Sequence, residues 1–171
     1  MIRRAAPADA AALAALAERT FRATYASGSD TSDLEGYIAG HFSPALQAQE
    51  LANSGLLTEV AVDGATLIGY IQMREGKPPP TVPGATALEV KRIYVDQAWQ
   101  GRAVGSALLD RAVVRANATG ATLWLVVFAH NAPALRFYEK HDFRPVGKQT
   151  FQMGSVRHLD LVLARRSTGG G

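Results

Sequence analysis

The chain has 171 residues, no cysteine and a formal net charge of +3. That length is one domain by prior, and the missing thiols exclude disulfides, thiolate metal sites and a cysteine nucleophile. No apolar run approaches the roughly 20 residues that span a bilayer. Asp9, Glu18, Arg19 and Arg22 interrupt an Ala-rich start that would otherwise look like a signal peptide, so a cytoplasmic protein is expected.

In chain order, Ile2 to Ala5 predicts a short strand ended by Pro7. Asp9 opens an Ala-rich helix whose Leu13, Leu16, Ala17, Thr20, Phe21 and Thr24 recur at helical spacing, with Ser27-Gly28-Ser29 as its end. Leu34 to Phe42 is a second helical stretch. Ser43 and Pro44 supply the cap and first residue of a third, running to about Ala52. Leu56 to Val62 and Ala65 to Arg74 pair as a hairpin about Val62-Asp63-Gly64. Four prolines between Glu75 and Gly84 demand a surface loop.

Leu88 to Val95 alternates as a strand and runs directly into a helix from Ala103 to about Ala118. Leu123 to Phe128 is continuously apolar, as a strand covered on both faces should be. A helix from about Pro133 to Lys140 and strands at Arg144 to Met153 and Arg157 to Arg165 follow. Ser167 to Gly171 reads as a disordered tail, leaving a single domain over residues 1–166. The order predicts a mixed α/β (α+β) fold. Its core is a mixed, mostly antiparallel, twisted sheet of about seven strands with helices on both faces. Leu88 to Phe128 forms a right-handed parallel strand–helix–strand unit within it.

Charge is unevenly spread. Between Ala23 and Met73 there is no Lys or Arg, but there are Asp30, Asp33, Glu35, Glu50, Glu59 and Asp63. From Arg74 onward, 14 Lys and Arg face 7 Asp and Glu. Two readings stay open: solvated faces, or an anion held by the second half and a cation beside the first.

The turn Gln100-Gly101-Arg102-Ala103-Val104-Gly105-Ser106 joins a strand to a helix and carries no carboxylate. The first amides of a helix lack internal acceptors and sit at the positive end of its dipole, so this turn suits a phosphate. A P-loop is excluded because Gly101 and Gly105 are one residue too close and no Lys follows. The G-x-G-x-x-G dinucleotide pattern is also absent. The four histidines are not clustered at ligand spacing, so no metal is expected. Basic residues are scattered without interleaved aromatics, which argues against nucleic acid.

Gln100 to Gly105 resembles the [Q/R]-x-x-G-x-[G/A] motif of the GNAT superfamily of acetyl-CoA-dependent N-acetyltransferases. Asn131 to Phe143, about 30 residues on, resembles that family's N-x-x-A-x-x-F-Y-x-x-x-G-F. Glu89 to Val95, Phe151 to Gly154 and Asp160-Leu161-Val162 are similar to the polyamine (spermidine/spermine) branch. The resemblance implies acetyl transfer to a primary amine by direct attack in a ternary complex. It implies acetyl-CoA as cosubstrate, a small cationic acceptor and no membrane partner, with room for a homodimer. A protein N-terminal or lysine acetyltransferase and a CoA-binding regulatory module with weak turnover are the alternatives. Ala103 stands where the family has Gly. Helical backbone there, at φ of about −60°, would make the substitution harmless, and this is the expected conformation. Asp142 also replaces a Gly, and Asp tolerates left-handed backbone.

At neutral pH only about one alkylamine in a thousand is unprotonated, so the chemistry needs a base. Glu89 is the base candidate, expected by alternation to share a face with Ile93 and Val95; an ion pair with Lys91 or Arg92, and proton removal through water, are the alternatives. Tyr138 is the acid candidate for the leaving thiolate, since a phenol stays protonated at pH 7. Backbone amides of Ile93, Tyr94 and Val95 should receive the carbonyl or pantetheine arm, and Gln100 to Ser106 the pyrophosphate. Asn131 should bond pantetheine amides or cap a helix, and Lys140 should either reach the phosphates or be solvated. Asp30, Asp33 and Glu35 are expected to set a negative potential for the acceptor, with Tyr25, Tyr37 and Phe42 lining its apolar stretch.

Overall fold

The computed structural model describes residues 1–25 and 30–166. The expected helix end at Ser27-Gly28-Ser29 and the tail from Ser167 lie outside the described residues.

Seven strands form one sheet: β1 (Ile2–Arg4), β2 (Leu56–Asp63), β3 (Thr66–Glu75), β4 (Ala87–Val95), β5 (Thr122–Phe128), β6 (Arg144–Met153) and β7 (Val156–Arg165). Their order is β1-β2-β3-β4-β5-β7-β6, and only β4 and β5 run parallel. Between them lie α1 (Ala10–Tyr25), α2 (Thr31–His41), α3 (Pro44–Ala52), α4 (Val104–Thr119) and α5 (Ala132–Lys140). The mixed sheet and the parallel β4-α4-β5 unit match the expectation from sequence.

Local chemistry explains the helix starts. Asp30 caps α2 by accepting the Ser32 amide, and Ser43 caps α3 ahead of Pro44. Asp142 adopts φ 65°, so that turn survives without its glycine, as expected.

Each face of the sheet carries its own core. Alternation sends Ile71, Met73, Leu88, Val90, Leu123, Leu125 and Leu163 toward α4 and α5, where Leu108, Leu109, Tyr138 and Phe143 meet them. The opposite face sends Val60, Tyr70 and Met153 against Leu13, Leu16, Phe21, Leu34 and Ile38 of α1 and α2. Each fully buried leucine contributes roughly 1.5–3 kcal/mol. The proline-rich segment is a loop, yet it also plugs this second face, burying Val82 against Trp124 and Val162.

Two irregularities make the site. β4 and β5 pair only from Ala87↔Thr122 to Val90↔Leu125. Beyond that, β4 stays with β3 as far as Val95, and β5 stays with β7 as far as Phe128. The sheet therefore splits into a V whose inner edges, Lys91 to Val95 and Val126 to Phe128, have no strand partner on that side among the described residues. The second irregularity is a bulge in β4, where Lys91 is the extra residue between Arg92↔Gln72 and Val90↔Met73.

Candidate active site

The Gln100–Ser106 turn lies at the mouth of the V. Gly101 takes φ 76° and Ala103 takes φ 61° with ψ 4°, so the chain coils leftward before α4 begins. The Ala107 amide makes the first bond back, to the Ala103 carbonyl at 3.0 Å. Amides of Val104, Gly105 and Ser106 thus precede the helical ladder, and no acidic side chain sits in the first turn. The Gln100 side chain fastens the turn by donating from Nε2 to the Val95 carbonyl at 3.2 Å. The Arg102 guanidinium lies 5.1 Å from the centre of the Trp99 ring. Gly105 faces the Phe137 ring, where a Cβ would stand at ordinary contact distance, 3.5 Å.

The expected helical backbone at Ala103 is corrected by this geometry. The residue precedes the helix instead of starting it, and left-handed backbone costs an L-residue about 1–2 kcal/mol.

Ile93 and Val95 pack against the α4 core, while Tyr94 turns to the other face and meets Tyr70 at 5.9 Å between ring centres. Tyr138 is buried beneath the V, 5.3 Å from the Phe137 ring and 5.7 Å from Phe143. Burial, reinforced by Tyr94, holds its phenol well above the usual ionisation range. Asn131 caps α5, its Oδ1 accepting the Ala134 amide at 3.2 Å, and its Nδ2 has no partner among the described residues. Lys140 is exposed on the last turn of α5.

Glu89 does not share a face with Ile93 and Val95. The bulge at Lys91 inverts the alternation, so Glu89 points away from Leu88 and Val90, toward the α1–α3 side. There its carboxylate is ion-paired with Arg74.

The acidic segment is not a free negative surface. Asp30 is spent as the α2 cap, Glu35 pairs with Arg22, and Asp33 accepts the Ser155 amide and hydroxyl. Glu50 binds Lys91 at 2.8 Å and Arg92 at 2.6 Å, and Glu59 takes Arg111 through both oxygens. Apart from Ser32, these partners come from outside the segment, where a count of its own charges does not reach.

The aromatic expectation fares differently. Tyr37 stacks on Phe21 at 4.9 Å and meets Phe151 at 5.3 Å, while Tyr25 lies 5.6 Å from Phe128 and 5.7 Å from His158. Phe42 is 4 % exposed and part of the core, under the Arg92 guanidinium. Two residues that sequence reading did not assign join this cluster, His158 and Asp160, both buried on β7. Their signal was present: His158, Asp160, Val162 and Ala164 alternate onto one face, and a charge on so apolar a face is uncommon.

Among the described residues no three His, Asp or Glu stand together as a metal site, and no helix is long and apolar enough to cross a membrane. A split parallel pair thus has helix-start amides at its mouth and a buried phenol beneath it. Apolar walls and free amides fit a thioester arm, and the α4 amides fit its phosphates.

Residues 12–143 match the model of the acetyltransferase (GNAT) family, and the chain belongs to that family. An uncharacterized N-acetyltransferase of Mycobacterium tuberculosis is 27% identical over 158 residues, covering 92% of this chain and 97% of the relative. The N-alpha-acetyltransferase RimI of the same species is 34% identical over 127 residues, 74% of this chain and 75% of that one. The same fold occurs in the PaiA N-acetyltransferase of Thermoplasma acidophilum, crystallised with coenzyme A. That match has a TM-score of 0.77 at 22% identity, over 97% of this chain and 98% of the other. The protein is thus an acetyl-CoA-dependent N-acetyltransferase.

Proposed function

We propose that the acceptor is a primary amine on a small cationic molecule, polyamine-like in chemistry, acetylated by direct attack in a ternary complex. The observation that carries this reading is the closure of the acceptor side. Asp33 of α2 is hydrogen-bonded to Ser155 in the β6–β7 turn at 2.9 Å, and Tyr37 packs on Phe151 beneath it. A contact that ties α2 to this turn suits a narrow alkylamine better than an extended peptide. The aromatic walls favour a cation, since ring faces attract ammonium groups.

In this mechanism the Gly101 to Ser106 amides hold the pyrophosphate. The unpaired edge of Ile93 to Val95 receives the pantetheine arm like an added strand and polarises the carbonyl. Asn131 Nδ2 serves the same arm, and Lys140 screens the outer phosphate charge. Tyr138 donates its proton to the departing thiolate, a role its raised pKa supports because the phenol stays protonated throughout the working range.

A protein N-terminal amine is the second reading, favoured by the likeness to the M. tuberculosis N-alpha-acetyltransferase. Thiol release from acetyl-CoA over a panel of polyamines, amino acids, aminoglycosides and N-terminal peptides decides between them. Preference for spermidine-like amines is expected. Turnover confined to peptides would reverse the order of the two readings, and acetyl-CoA binding without thiol release would refute both.

A further inference from the structure

Asp160 is 6 % exposed, and its Oδ1 has no hydrogen-bond partner among the described residues. Nε2 of His158, also 6 % exposed, is likewise unpartnered. A buried carboxylate without a donor carries a large desolvation cost unless something supplies a cation or a proton. Its position gives the reason. Asp160 pairs across the ladder with Phe128, the last residue of β5 and the end of one arm of the V. His158, two residues away on the same face, is ringed by Phe128 at 5.4 Å, Tyr25 at 5.7 Å and Phe151 at 6.1 Å.

The charged and titratable groups facing Asp160 are few. His158 lies on its own strand, Tyr25 comes from α1, Tyr37 from α2 and Tyr94 from β4. None of the three phenols is a cation, and burial moves all of them further from ionisation. Tyr94 in turn is close enough to influence Tyr138 across the V. Asp160 and Tyr138 therefore flank the opening from opposite faces of the sheet, where an acceptor and a leaving group must be separated.

We propose that Asp160 binds the acceptor's ammonium group beside this aromatic cluster and takes the proton whose loss makes the nitrogen nucleophilic. The inference rests on the amine-acetylation reading above. One proton passes from R–NH3⁺ to the Asp160 carboxylate and then to solvent. The freed nitrogen pair forms the N–C bond at the thioester carbonyl carbon. As the C–S bond breaks, the sulfur takes the Tyr138 proton, and the nitrogen's second proton restores the phenol.

Burial pushes the Asp160 carboxyl up to about 6, with His158 pulling it partly back, so it is ionised yet still basic at neutral pH. Asp160→Asn tests the proposal, with thermal unfolding to check that the variant is folded. The expected result is a fall of about 100-fold or more in kcat/KM for spermidine, with acetyl-CoA Kd within about twofold of the parent. The acid limb of the pH profile should vanish with it. A variant within threefold of the parent, or an acid limb lost in Glu89→Gln but kept in Asp160→Asn, would overturn the assignment while leaving acetyl transfer intact.

Carboxyl carbon NMR, in the presence of CoA, decides the point without turnover. The resonance missing from Asp160→Asn should titrate near 6 and shift on adding spermidine. A resonance titrating near 4 and indifferent to spermidine refutes the role even if the acceptor panel succeeds.

Discussion

The carboxylate of Asp33 accepts both the amide and the hydroxyl of Ser155 at 2.9 Å, joining residues 122 positions apart. Gly154 makes this contact by offering bare backbone, since a Cβ there would collide with the Asp33 carboxylate. The pair latches α2 to the β6–β7 turn beside the Tyr37–Phe151 ring pair. Asp33→Ala should raise KM for a small amine by about fivefold, the equivalent of roughly 1 kcal/mol of lost closure. Stability should fall by no more than about 1 kcal/mol, because the bonds are exposed. Peptide N-termini should become better acceptors. An unchanged KM for every amine would show that the latch has no part in acceptor binding.

Ala103 and Gly101 predict substitutions of opposite sign. Ala103→Gly relieves left-handed strain at φ 61° and should stabilise the protein by about 0.5–1 kcal/mol after the entropy of the added glycine is counted. Gly101→Ala installs the same strain at φ 76° and should cost about 1 kcal/mol. Calorimetric acetyl-CoA binding should tighten in the first and weaken in the second, since both residues shape the amides ahead of α4. Denaturant unfolding gives the stability term, and equal midpoints for the two variants would contradict the backbone reading.

The architecture was legible because burial follows simple periods. Leu123 to Phe128 is apolar throughout and is covered on both faces, and the Leu13, Leu16, Ala17, Phe21 stripe is the buried side of α1. The strand-to-helix turn before α4 carries no carboxylate, and that much is plain from the sequence. Glu89 was misplaced because a bulge breaks the period that alternation assumes, and the adjacent charges Lys91 and Arg92 were its only trace. The helical reading of Ala103 failed because a sequence does not print φ. Asp160 was passed over because its importance comes from what surrounds it: α1, α2 and β4, all distant in sequence.

Tyr138 fills a buried volume between Phe137 and Phe143, so Tyr138→Phe should fold and bind acetyl-CoA as the parent does. Its kcat should drop by about 100-fold or more, the usual scale for losing a general acid. Burial raises the phenol above its ordinary range, so it contributes no basic limb to the rate below about pH 10. A limb near pH 9 that disappears in Tyr138→Phe would contradict that shift, and an unaltered kcat would remove the residue from the chemistry.

Asp160 should weaken the fold it serves. Its carboxyl is raised from the ordinary 3.8 to about 6, so between those values the native state holds a proton that the unfolded chain has released. Unfolding free energy therefore falls as pH climbs from about 4 to about 6 and stays lower above that window. Asparagine cannot ionise, so Asp160→Asn should be the more stable protein at pH 7.5, by up to about 3 kcal/mol for a shift of roughly two pH units. The two should converge below pH 4, where the native carboxyl is neutral in both states. Thermal unfolding at pH 4 and pH 7.5 checks this directly. A variant that is less stable at pH 7.5 would mean that the carboxylate is paired in the folded protein and is not held in reserve for a cationic acceptor.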